Sequence, residues 1–435
     1  MNNVFGIRHE DKYRLERRTP VIPRHAALLA KQSGLKLLVQ SSPKRIFPDE
    51  AFRVSGAEIV SDLAMAPVIF GVKEMPVSFF EPHKTYVFFS HVIKGQEYNM
   101  PMLRRMMELK CNLIDYEKVV DEMGRRLIFF GRYAGLAGMI NTLWSLGLRL
   151  KHLGYYTPFL HIKQAHLYDS LNDARRDIIK AGHEIAHQGL PEALCPFTIG
   201  ITGYGNVSNG AMEISALLPI QEIEPSDLLK LKEKGKAPNN VLYKVVFKEE
   251  HISQPLKQDS PFDLHDYYQN PQFYRNAFEK YIPHLSVLVN GMYWDSRYPK
   301  IVTKAYLEKL YMDGCPKLTV IGDITCDING SVESCVKAAE IEDPIFIYDP
   351  FTHQITPGHE GKGLLMMTVD ILPSELPRES SEYFSQVLLN YIPAIVQADY
   401  SQPFDQLALP NAIRKALILH QGELTPEYRY IQRYL

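Results

Sequence analysis

The chain has 435 residues, 46% hydrophobic and 23% charged, which is typical of a globular protein with two or three domains of roughly 150 residues each. A formal net charge of −2 gives no support for binding to nucleic acid or to an acidic membrane surface. The sequence contains no run of about eighteen apolar residues, so we expect no membrane span.

The five cysteines are scattered and form no Cys-x-x-Cys pair. An odd, scattered set favours a reducing compartment and predicts neither a disulfide framework nor a metal site. Residues 1–10 contain no apolar stretch of signal-peptide length. We therefore expect a cytoplasmic protein, or a protein of an organelle matrix if a transit peptide has been removed.

The first part of the chain alternates short apolar runs with helix-like patterns, which predicts a mostly parallel α/β sheet. Gly34 is expected to close the first helix, because glycine accepts the left-handed conformation found at helix ends. The predicted strands are 4–7, 35–40, 67–71, 85–89 and 111–115, and the predicted helices are 23–33, 49–56 and 99–110.

Lys73 and His91 follow two successive predicted strands, 67–71 and 85–89. Open α/β sheets form their active sites at such strand ends. Histidine titrates near neutral pH, and burial or a second cation can bring lysine into the same range. The pair therefore predicts acid–base chemistry, and the alternative is that both are ordinary polar residues at strand ends.

Long helices and a second α/β region follow. Residues 131–153 predict a helix long enough to link two domains, and 155–188 add further helical sequence. The polar stretches 227–238 and 251–278 are interpreted as surface insertions. Later predicted strands are 197–202, 220–223, 239–247, 286–290, 317–321, 345–348 and 364–369, and a last helix is predicted at 382–391.

A glycine turn joins the strand 197–202 to a helix, in the arrangement of a dinucleotide-binding fingerprint. Gly203 would permit the tight turn, and Gly205 would let the backbone approach a pyrophosphate. Ser208 occupies the third position, with Gly210 and Ala211 available for close helix–sheet packing. The helix N-terminus favours phosphate, and the alternative is a glycine turn that binds no nucleotide.

Glu222 and Glu224 lie at the end of the next predicted strand. An acidic residue there would bond a ribose 2′-hydroxyl and favour NAD over NADP. Several lysines beyond them could instead meet a 2′-phosphate or form a solvated surface, so the residues alone leave the cofactor open. These lysines are Lys230, Lys232, Lys234 and Lys236.

Ordered motifs along the whole chain resemble the lysine–2-oxoglutarate reductase half of bifunctional aminoadipic semialdehyde synthases. They include GVKEMP at 71–76, FFSHVIK at 88–94 and TGYGNVS at 202–208. The chain is similar, more distantly, to lysine-forming saccharopine dehydrogenase and the alanine dehydrogenase/transhydrogenase fold group. The other matching segments are 6–11, 16–20, 113–117, 124–126, 130–141, 289–294, 322–327, 370–379 and 428–432.

The resemblance implies an α/β protein with two Rossmann-like domains of mostly parallel sheet, separated by a substrate cleft. The expected parts are a catalytic domain of residues 1–135 completed by 341–435, linking helices 136–190, and an NAD(P)-binding Rossmann domain 191–340. The bifunctional proteins carry a second, saccharopine-oxidising domain after the segment 428–432. We expect that activity to be absent from this chain, either naturally or because the chain is one half of a longer protein.

The implied activity is the NAD(P)H-dependent condensation of L-lysine with 2-oxoglutarate to saccharopine. The bifunctional relatives favour NADPH and the stand-alone relatives favour NAD(H), and we lean to NADPH. A homo-oligomer and a separate enzyme that oxidises saccharopine are compatible with this activity. No metal, nucleic acid or membrane partner is expected.

The resemblance also implies roles for individual residues. Lys73 and His91 would be the acid–base pair, and Arg18 fits a clamp on a substrate carboxylate because guanidinium binds carboxylate as a fork. The remaining substrate-binding candidates are Glu74, Glu117 and Arg126, and the cofactor-binding candidates are Gly203, Gly205, Asn206, Val207, Ser208, Glu224, Tyr293, Asp323 and Asp370.

Two rival hypotheses remain at this stage. The first is another amino-acid or opine dehydrogenase on the same scaffold, such as an alanine dehydrogenase. The second is a regulatory protein that binds nucleotide without turnover.

Overall fold

The computed structural model describes residues 2–231, 237–257, 259–314 and 316–435. Its strands are β1 (Val4–Ile7), β2 (Lys36–Gln40), β3 (Glu58–Val60), β4 (Val68–Phe70), β5 (Thr85–Phe88), β6 (Asn112–Asp115), β7 (Phe197–Thr202), β8 (Ile220–Glu222), β9 (Leu242–Phe247), β10 (Ser253–Pro255), β11 (Tyr274–Asn276), β12 (Val287–Asn290), β13 (Val320–Asp323), β14 (Ile345–Tyr348), β15 (Ile355–Pro357), β16 (Leu364–Met367), β17 (Leu417–His420) and β18 (Glu423–Leu424).

The α-helices are α1 (Pro23–Ser33), α2 (Asp49–Val54), α3 (Met100–Glu108), α4 (Gly131–His152), α5 (Leu171–Gln188), α6 (Asn206–Ser215), α7 (Pro225–Lys230), α8 (Glu249–Ile252), α9 (Leu264–Gln269), α10 (Lys304–Met312), α11 (Pro377–Leu388), α12 (Ile392–Gln397) and α13 (Asn411–Lys415). The chain divides into two compact units. Unit 1 consists of the residues up to Phe130 and of Pro377–Leu435, and unit 2 consists of Gly131–Leu376.

The sheet of unit 1 has the strand order β18-β17-β6-β5-β4-β1-β2-β3. The pairs among β1 to β6 are parallel, and β17 and β18 add antiparallel strands at one edge. Every residue of β4 and β5 is buried. Strands covered on both faces are apolar throughout, which explains why their sequence shows continuous rather than alternating hydrophobicity.

Local signals fix the ends of several elements. Helix α1 begins with Pro23 and ends at Gly34, whose φ of 64° lets its backbone N–H donate to the carbonyl oxygen of Ala30. This confirms the predicted role of Gly34. The C-terminal segment packs back on unit 1, where the hydroxyls of Ser381 and Ser385 accept hydrogen bonds from backbone N–H groups before α1.

The sheet of unit 2 has the order β15-β14-β16-β13-β12-β7-β9-β8, and β14 is antiparallel to both of its neighbours, β15 and β16. Strands β10 and β11 form a separate two-stranded antiparallel sheet inside the predicted insertion 251–278. The prediction of two mostly parallel α/β sheets is therefore confirmed.

The limits of the two units differ from the predicted domains. Residues 341–376 were expected to complete the first domain, but β16 pairs with β13, and β14 pairs with β16, in the sheet of unit 2. Helix α4 was expected to be a linker, yet it packs in unit 2, where a Cβ built on Gly322 of β13 would lie 2.0 Å from the Thr142 hydroxyl oxygen. Pairing between distant strands sets the first limit, and packing of α4 against β13 sets the second, and no local sequence pattern reports either.

Among the described residues, no helix is long and apolar enough to cross a membrane. The part of the chain that the structure covers also contains no group of three or more His, Cys, Asp or Glu side chains that could hold a metal ion. The four described cysteines form no disulfide. The residues outside the described ranges include Cys315, Lys232, Lys234 and Lys236.

Candidate active site

Four neighbouring parallel strands of unit 1 end at the same edge of the sheet, because parallel strands share a direction. Glu10 follows β1, Lys73 follows β4, His91 follows β5 and Glu117 follows β6. The sequence prediction that Lys73 and His91 follow adjacent strands is confirmed by the β4–β5 pairing. The structure adds Glu10 to this edge.

Glu74 contacts both His91 and Lys12 at this edge. Its Oε1 atom lies 2.7 Å from His91 Nδ1 and 2.7 Å from Lys12 Nζ. Burial disfavours the charged carboxylate, but the contacts with His91 and Lys12 outweigh burial and hold the pKa of Glu74 at about 2. Glu74 is therefore ionised at neutral pH, and it orients the His91 imidazole.

Lys12 was not among the predicted site residues. Burial tends to lower its pKa, but the hydrogen bond to Glu74 outweighs burial and raises that pKa. Its ammonium group lies 5.4 Å from the centre of the Tyr13 ring, and the ammonium group of Lys73 lies 5.8 Å from the same ring. The only sequence signal for Lys12 was its position shortly after β1, at the same sheet edge as Lys73.

Arg18 is held by a neighbouring carboxylate. Its Nε and Nη2 atoms donate to the two carboxylate oxygens of Glu16, at 2.8 and 2.6 Å, and the side chain is 4% exposed. Burial raises the pKa of Glu16, but Arg18, and to a smaller extent the charge of Lys73, lower it overall. Glu16, which sequence reasoning missed, therefore occupies the Nε–Nη2 edge of the guanidinium. The substrate clamp at Arg18 stays a prediction.

Glu117 and Arg126 form an ion pair, with 3.6 Å between Oε1 and Nη1, and Arg126 is largely exposed. Buried Asp115 supports this side of the site. It accepts hydrogen bonds from the Ser90 hydroxyl and the Ser90 backbone N–H, and from the Glu117 backbone N–H at 2.8 Å. The end of β6 therefore fixes the residue before His91 as well as Glu117.

In unit 2, the predicted glycine turn follows β7 and begins with a glycine of positive φ. Gly203 has a φ of 82°, and a Cβ there would lie 3.1 Å from Met292 Cα. Gly205 has an ordinary φ of −78°, and beyond its two chain neighbours no described residue has an atom within 4 Å of a Cβ built on it. Helix α6 begins at Asn206 without a side-chain cap. Open space beside an uncapped helix N-terminus fits a pyrophosphate.

Ser208 and Gly210 of the predicted dinucleotide-binding turn make different contacts from those expected. The Ser208 hydroxyl is buried and donates to the backbone oxygens of Thr202 and Gly291, so the side chain is unavailable to a pyrophosphate. Gly210 was expected to serve helix–sheet packing. A Cβ there would lie 2.2 Å from the backbone oxygen of Arg132, and one on Gly135 would lie 1.9 Å from that of Val207. These glycines therefore allow α4 and α6 to pack backbone to backbone.

The prediction for Glu224 rested on a strand order that the structure does not have. It assumed that the strand before Glu224 neighbours β7, but β9 lies between β7 and β8. Glu222 pairs with Lys244 of β9 at 2.8 Å, and Glu224 is an exposed residue before α7. Sequence order cannot reveal that a later strand is inserted between two earlier ones.

The strand next to β7 ends at Phe247, whose carbonyl oxygen accepts a hydrogen bond from Gly203 at 2.8 Å. The following residues, Lys248 and Glu249, therefore lie beside the glycine turn. Glu249 accepts a hydrogen bond from the Tyr268 hydroxyl at 2.7 Å. A cavity of about 250 Å³ adjoins them, and it is lined by Gly203, Tyr204, Gly205, Phe247, Glu249, Ile252, Tyr267, Tyr268, Gly291, Met292, Tyr293 and Tyr298.

The remaining cofactor candidates divide into exposed and buried residues. Tyr293 lines this cavity and is largely exposed, and Asp370 is exposed beyond β16. Asp323 is fully buried, and its Oδ1 atom accepts hydrogen bonds from Asn290 and Thr325 at 2.9 and 2.7 Å. Burial raises the pKa of Asp323 to about 6. Its hydrogen bonds hold the end of β13 to that of β12, and Asp323 is not among the residues that line the cavity.

Solved structures place this fold in a known class. The chain is similar to an L-alanine dehydrogenase with a TM-score of 0.60 and 16% identity over 99% of both chains. It is also similar to a transhydrogenase from Sinorhizobium meliloti, with a TM-score of 0.55 and 13% identity over 97% of this chain and all of the other. Its fold is that of the alanine dehydrogenase/transhydrogenase class.

Residues 6–137 match the family of the alanine dehydrogenase/PNT N-terminal domain. The chain is homologous to alpha-aminoadipic semialdehyde synthase, with 39% identity to the Arabidopsis thaliana protein and 37% to the mitochondrial Bos taurus protein, over 99% of this chain in each case. It covers 41% and 48% of those relatives. It is 29% identical to a Neurospora crassa saccharopine dehydrogenase (NAD+, L-lysine-forming), over 89% of both chains.

Proposed function

We propose that the chain is an NAD(P)H-dependent oxidoreductase that condenses L-lysine with 2-oxoglutarate and reduces the imine to saccharopine. The observation that carries the proposal is the placement of Lys73 and His91 after adjacent parallel strands, with ionised Glu74 bonded to His91. The names of the homologous proteins, which include a lysine-forming saccharopine dehydrogenase, supply the substrate class.

Forming an imine from an amine and a keto acid requires proton transfers to oxygen and from nitrogen, which suit groups that titrate near the working pH. In this proposal Lys73 and His91 make these transfers, and Glu74 holds the imidazole in place. Arg126 binds a substrate carboxylate and Glu117 binds the lysine α-amino group. Arg18, held by Glu16 on one edge of its guanidinium, binds another substrate carboxylate through its remaining N–H groups.

Unit 2 would hold the nucleotide, with the backbone of Gly205, Asn206 and Val207 on the pyrophosphate and Tyr293 lining the cavity. A bound reduced nicotinamide supplies the hydride for the imine carbon. We propose NADPH as the preferred donor, because Lys248 is exposed directly after β9, where a cation meets a 2′-phosphate. Glu249, the acidic residue beside it, is already bonded to Tyr268.

The test is NADPH and NADH oxidation, followed by absorbance, with L-lysine and 2-oxoglutarate together and with each alone. The proposal expects oxidation only when both substrates are present, and a faster rate with NADPH. A rate with pyruvate and ammonia but not with lysine would replace the proposal by an alanine dehydrogenase activity. Nucleotide binding without any turnover would leave a regulatory nucleotide-binding protein.

A further inference from the structure

Glu10 is a buried carboxylate that contacts the backbone of the Lys73 turn. Its Oε1 atom accepts a hydrogen bond from the Val72 N–H at 2.7 Å, and its Oε2 atom accepts one from the Lys73 N–H at 3.0 Å. Both carboxylate oxygens are thus used by two consecutive backbone groups. The residue lies after β1, whereas the turn lies after the neighbouring strand β4.

The turn requires an acceptor from outside the sheet. The Gly71 N–H still bonds to β5, through the Val87 carbonyl oxygen at 3.0 Å, and β4 has ended by that point. The next two N–H groups therefore leave the ladder, and buried N–H groups without acceptors are costly. A Cβ built on Gly71 would lie 3.4 Å from Glu10 Oε1, so the carboxylate packs closely against this segment.

Charged groups from several elements surround Glu10. Burial and the charge of Glu16 raise the pKa of Glu10 to about 7, while the two backbone hydrogen bonds and Arg8 oppose that rise. Arg45 and Tyr116 also interact electrostatically with it. The carboxyl group therefore changes its charge near neutral pH. Its protonated form carries a hydroxyl donor facing one of the two N–H donors.

We propose that Glu10 is a positioning residue whose carboxylate fixes the Val72–Lys73 turn and thereby places the Lys73 ammonium group for proton transfer. Glu10 touches neither substrate nor cofactor in this account and acts only through Lys73. The catalytic part of the inference rests on the proposed function, whereas the structural part, that Glu10 fixes the turn, does not.

The activity test compares Glu10→Gln and Glu10→Asp with the wild type. The glutamine amide presents only one acceptor oxygen, and small misplacements of reacting groups are costly, so kcat should fall about ten- to a hundred-fold while KM changes less than about threefold. Aspartate keeps two acceptor oxygens and should restore part of the rate. Glu58→Gln, an exposed carboxylate paired with Lys36, is the control and should retain wild-type kcat.

The pH profile separates positioning from general support of the fold. In the wild type, kcat should gain an ascending limb near pH 7 as Glu10 ionises and accepts both N–H groups. Glu10→Gln has no such ionisation, so its profile should lack this limb. Wild-type kcat and an unchanged pH profile in Glu10→Gln would overturn the inference.

Hydrogen exchange of the 71–75 backbone amides tests the turn without turnover. After correction for intrinsic exchange, their protection relative to core amides of unit 1 that exchange by global unfolding should rise through about pH 7 in the wild type, and Glu10→Gln should lose that rise. This result in a protein inactive toward lysine and 2-oxoglutarate would contradict the proposed function and support the role of Glu10 in the turn. If the Val72 and Lys73 amides of the wild type were no better protected than those of exposed turns, that role would be overturned, even if neither variant folds.

Discussion

The carboxyl edges of the two sheets carry different kinds of groups. In unit 1 the edge holds charged side chains in contact with one another, as in the link from Lys12 through Glu74 to His91. In unit 2 the edge beside β7 holds a glycine turn and aromatic side chains around a cavity. The first arrangement suits proton transfer, and the second suits binding of a planar, phosphate-bearing ligand.

The buried carboxylates of the two units show the same contrast. Both oxygens of Glu10 accept backbone hydrogen bonds, so the charge is used to hold a turn. One oxygen of Asp323 accepts two hydrogen bonds, and its Oδ2 atom has no hydrogen-bond partner among the described residues. The comparison implies that substitutions in unit 1 should affect chemistry and substitutions in unit 2 should affect nucleotide binding.

Lys73→Met should have the largest effect. Removing a group that transfers protons typically lowers the rate by about 10²- to 10⁴-fold, so kcat should fall within that range. NADPH binding, measured by the nucleotide's fluorescence, should stay within about twofold of wild type because the glycine turn lies in unit 2. Lys36→Met, which removes an exposed lysine of the same unit, should keep full activity. If Lys73→Met lost NADPH affinity as strongly as kcat, the division of chemistry and nucleotide binding between unit 1 and unit 2 would be contradicted.

Gly205→Val should affect binding and not the fold. Its φ of −78° suits valine, and a Cβ at this position lies in open space among the described residues, so the melting temperature should change little. The side chain would fill the space next to the helix N-terminus and remove close charge-assisted hydrogen bonds, weakening NADPH binding about ten- to a hundred-fold.

Gly34→Val is the matched control for that experiment. Gly34 also has open space around its Cβ position, but its φ of 64° disfavours valine. This variant should lose about 1–2 kcal/mol of stability and keep its affinity for NADPH. Unchanged NADPH binding in Gly205→Val would remove the glycine turn from the nucleotide site.

Glu10→Gln and Asp323→Asn compare the two buried carboxylates by chemical denaturation. The glutamine leaves one N–H without an acceptor, whereas asparagine can keep its oxygen at the Oδ1 position and place its amide at the unpaired one. Glu10→Gln should therefore be less stable than Asp323→Asn by about 1–3 kcal/mol at any given pH. Equal stabilities would show that the unpaired oxygen does not distinguish the two sites.

The pH dependence of this pair has a definite sign. The pKa of Glu10 is raised from 4.5 to about 7 and that of Asp323 from 3.8 to about 6, so the folded state binds more protons than the unfolded state within each window. Wild-type stability should therefore fall as pH rises through each window, by about 3 kcal/mol per group. Each variant lacks one of these two losses, so its free energy of unfolding should rise relative to that of the wild type between pH 5 and pH 8.

Cofactor preference should show the smallest effect. Lys248→Ala should lower kcat/KM for NADPH about five- to tenfold and leave that for NADH nearly unchanged, since one exposed charge contact contributes about 1 kcal/mol. Glu224 follows β8, two strands away from β7. Glu224→Gln should therefore change the ratio of kcat/KM for NADPH to that for NADH less than about twofold. A larger effect from Glu224→Gln would restore the prediction made from sequence.

Local sequence signals were sufficient for the strand ends and for the glycine turn. Lys73, His91 and Gly203 follow apolar runs whose strand character is unambiguous, and the structure places them as predicted. Glu16 and Glu10 were missed because nothing local indicates which acidic residues become buried against a neighbouring strand. The error at Glu224 has another origin, since inserting β9 between β7 and β8 depends on long-range strand pairing.

The most direct test of the central claim is the product formed from L-lysine, 2-oxoglutarate and NADPH carrying deuterium at the transferable position. The proposal predicts, by mass spectrometry, one secondary amine that joins both substrates with loss of water and carries a single deuterium on the former keto carbon. Deuterated glutamate with free lysine unchanged, or unlabelled substrates alone, would contradict it.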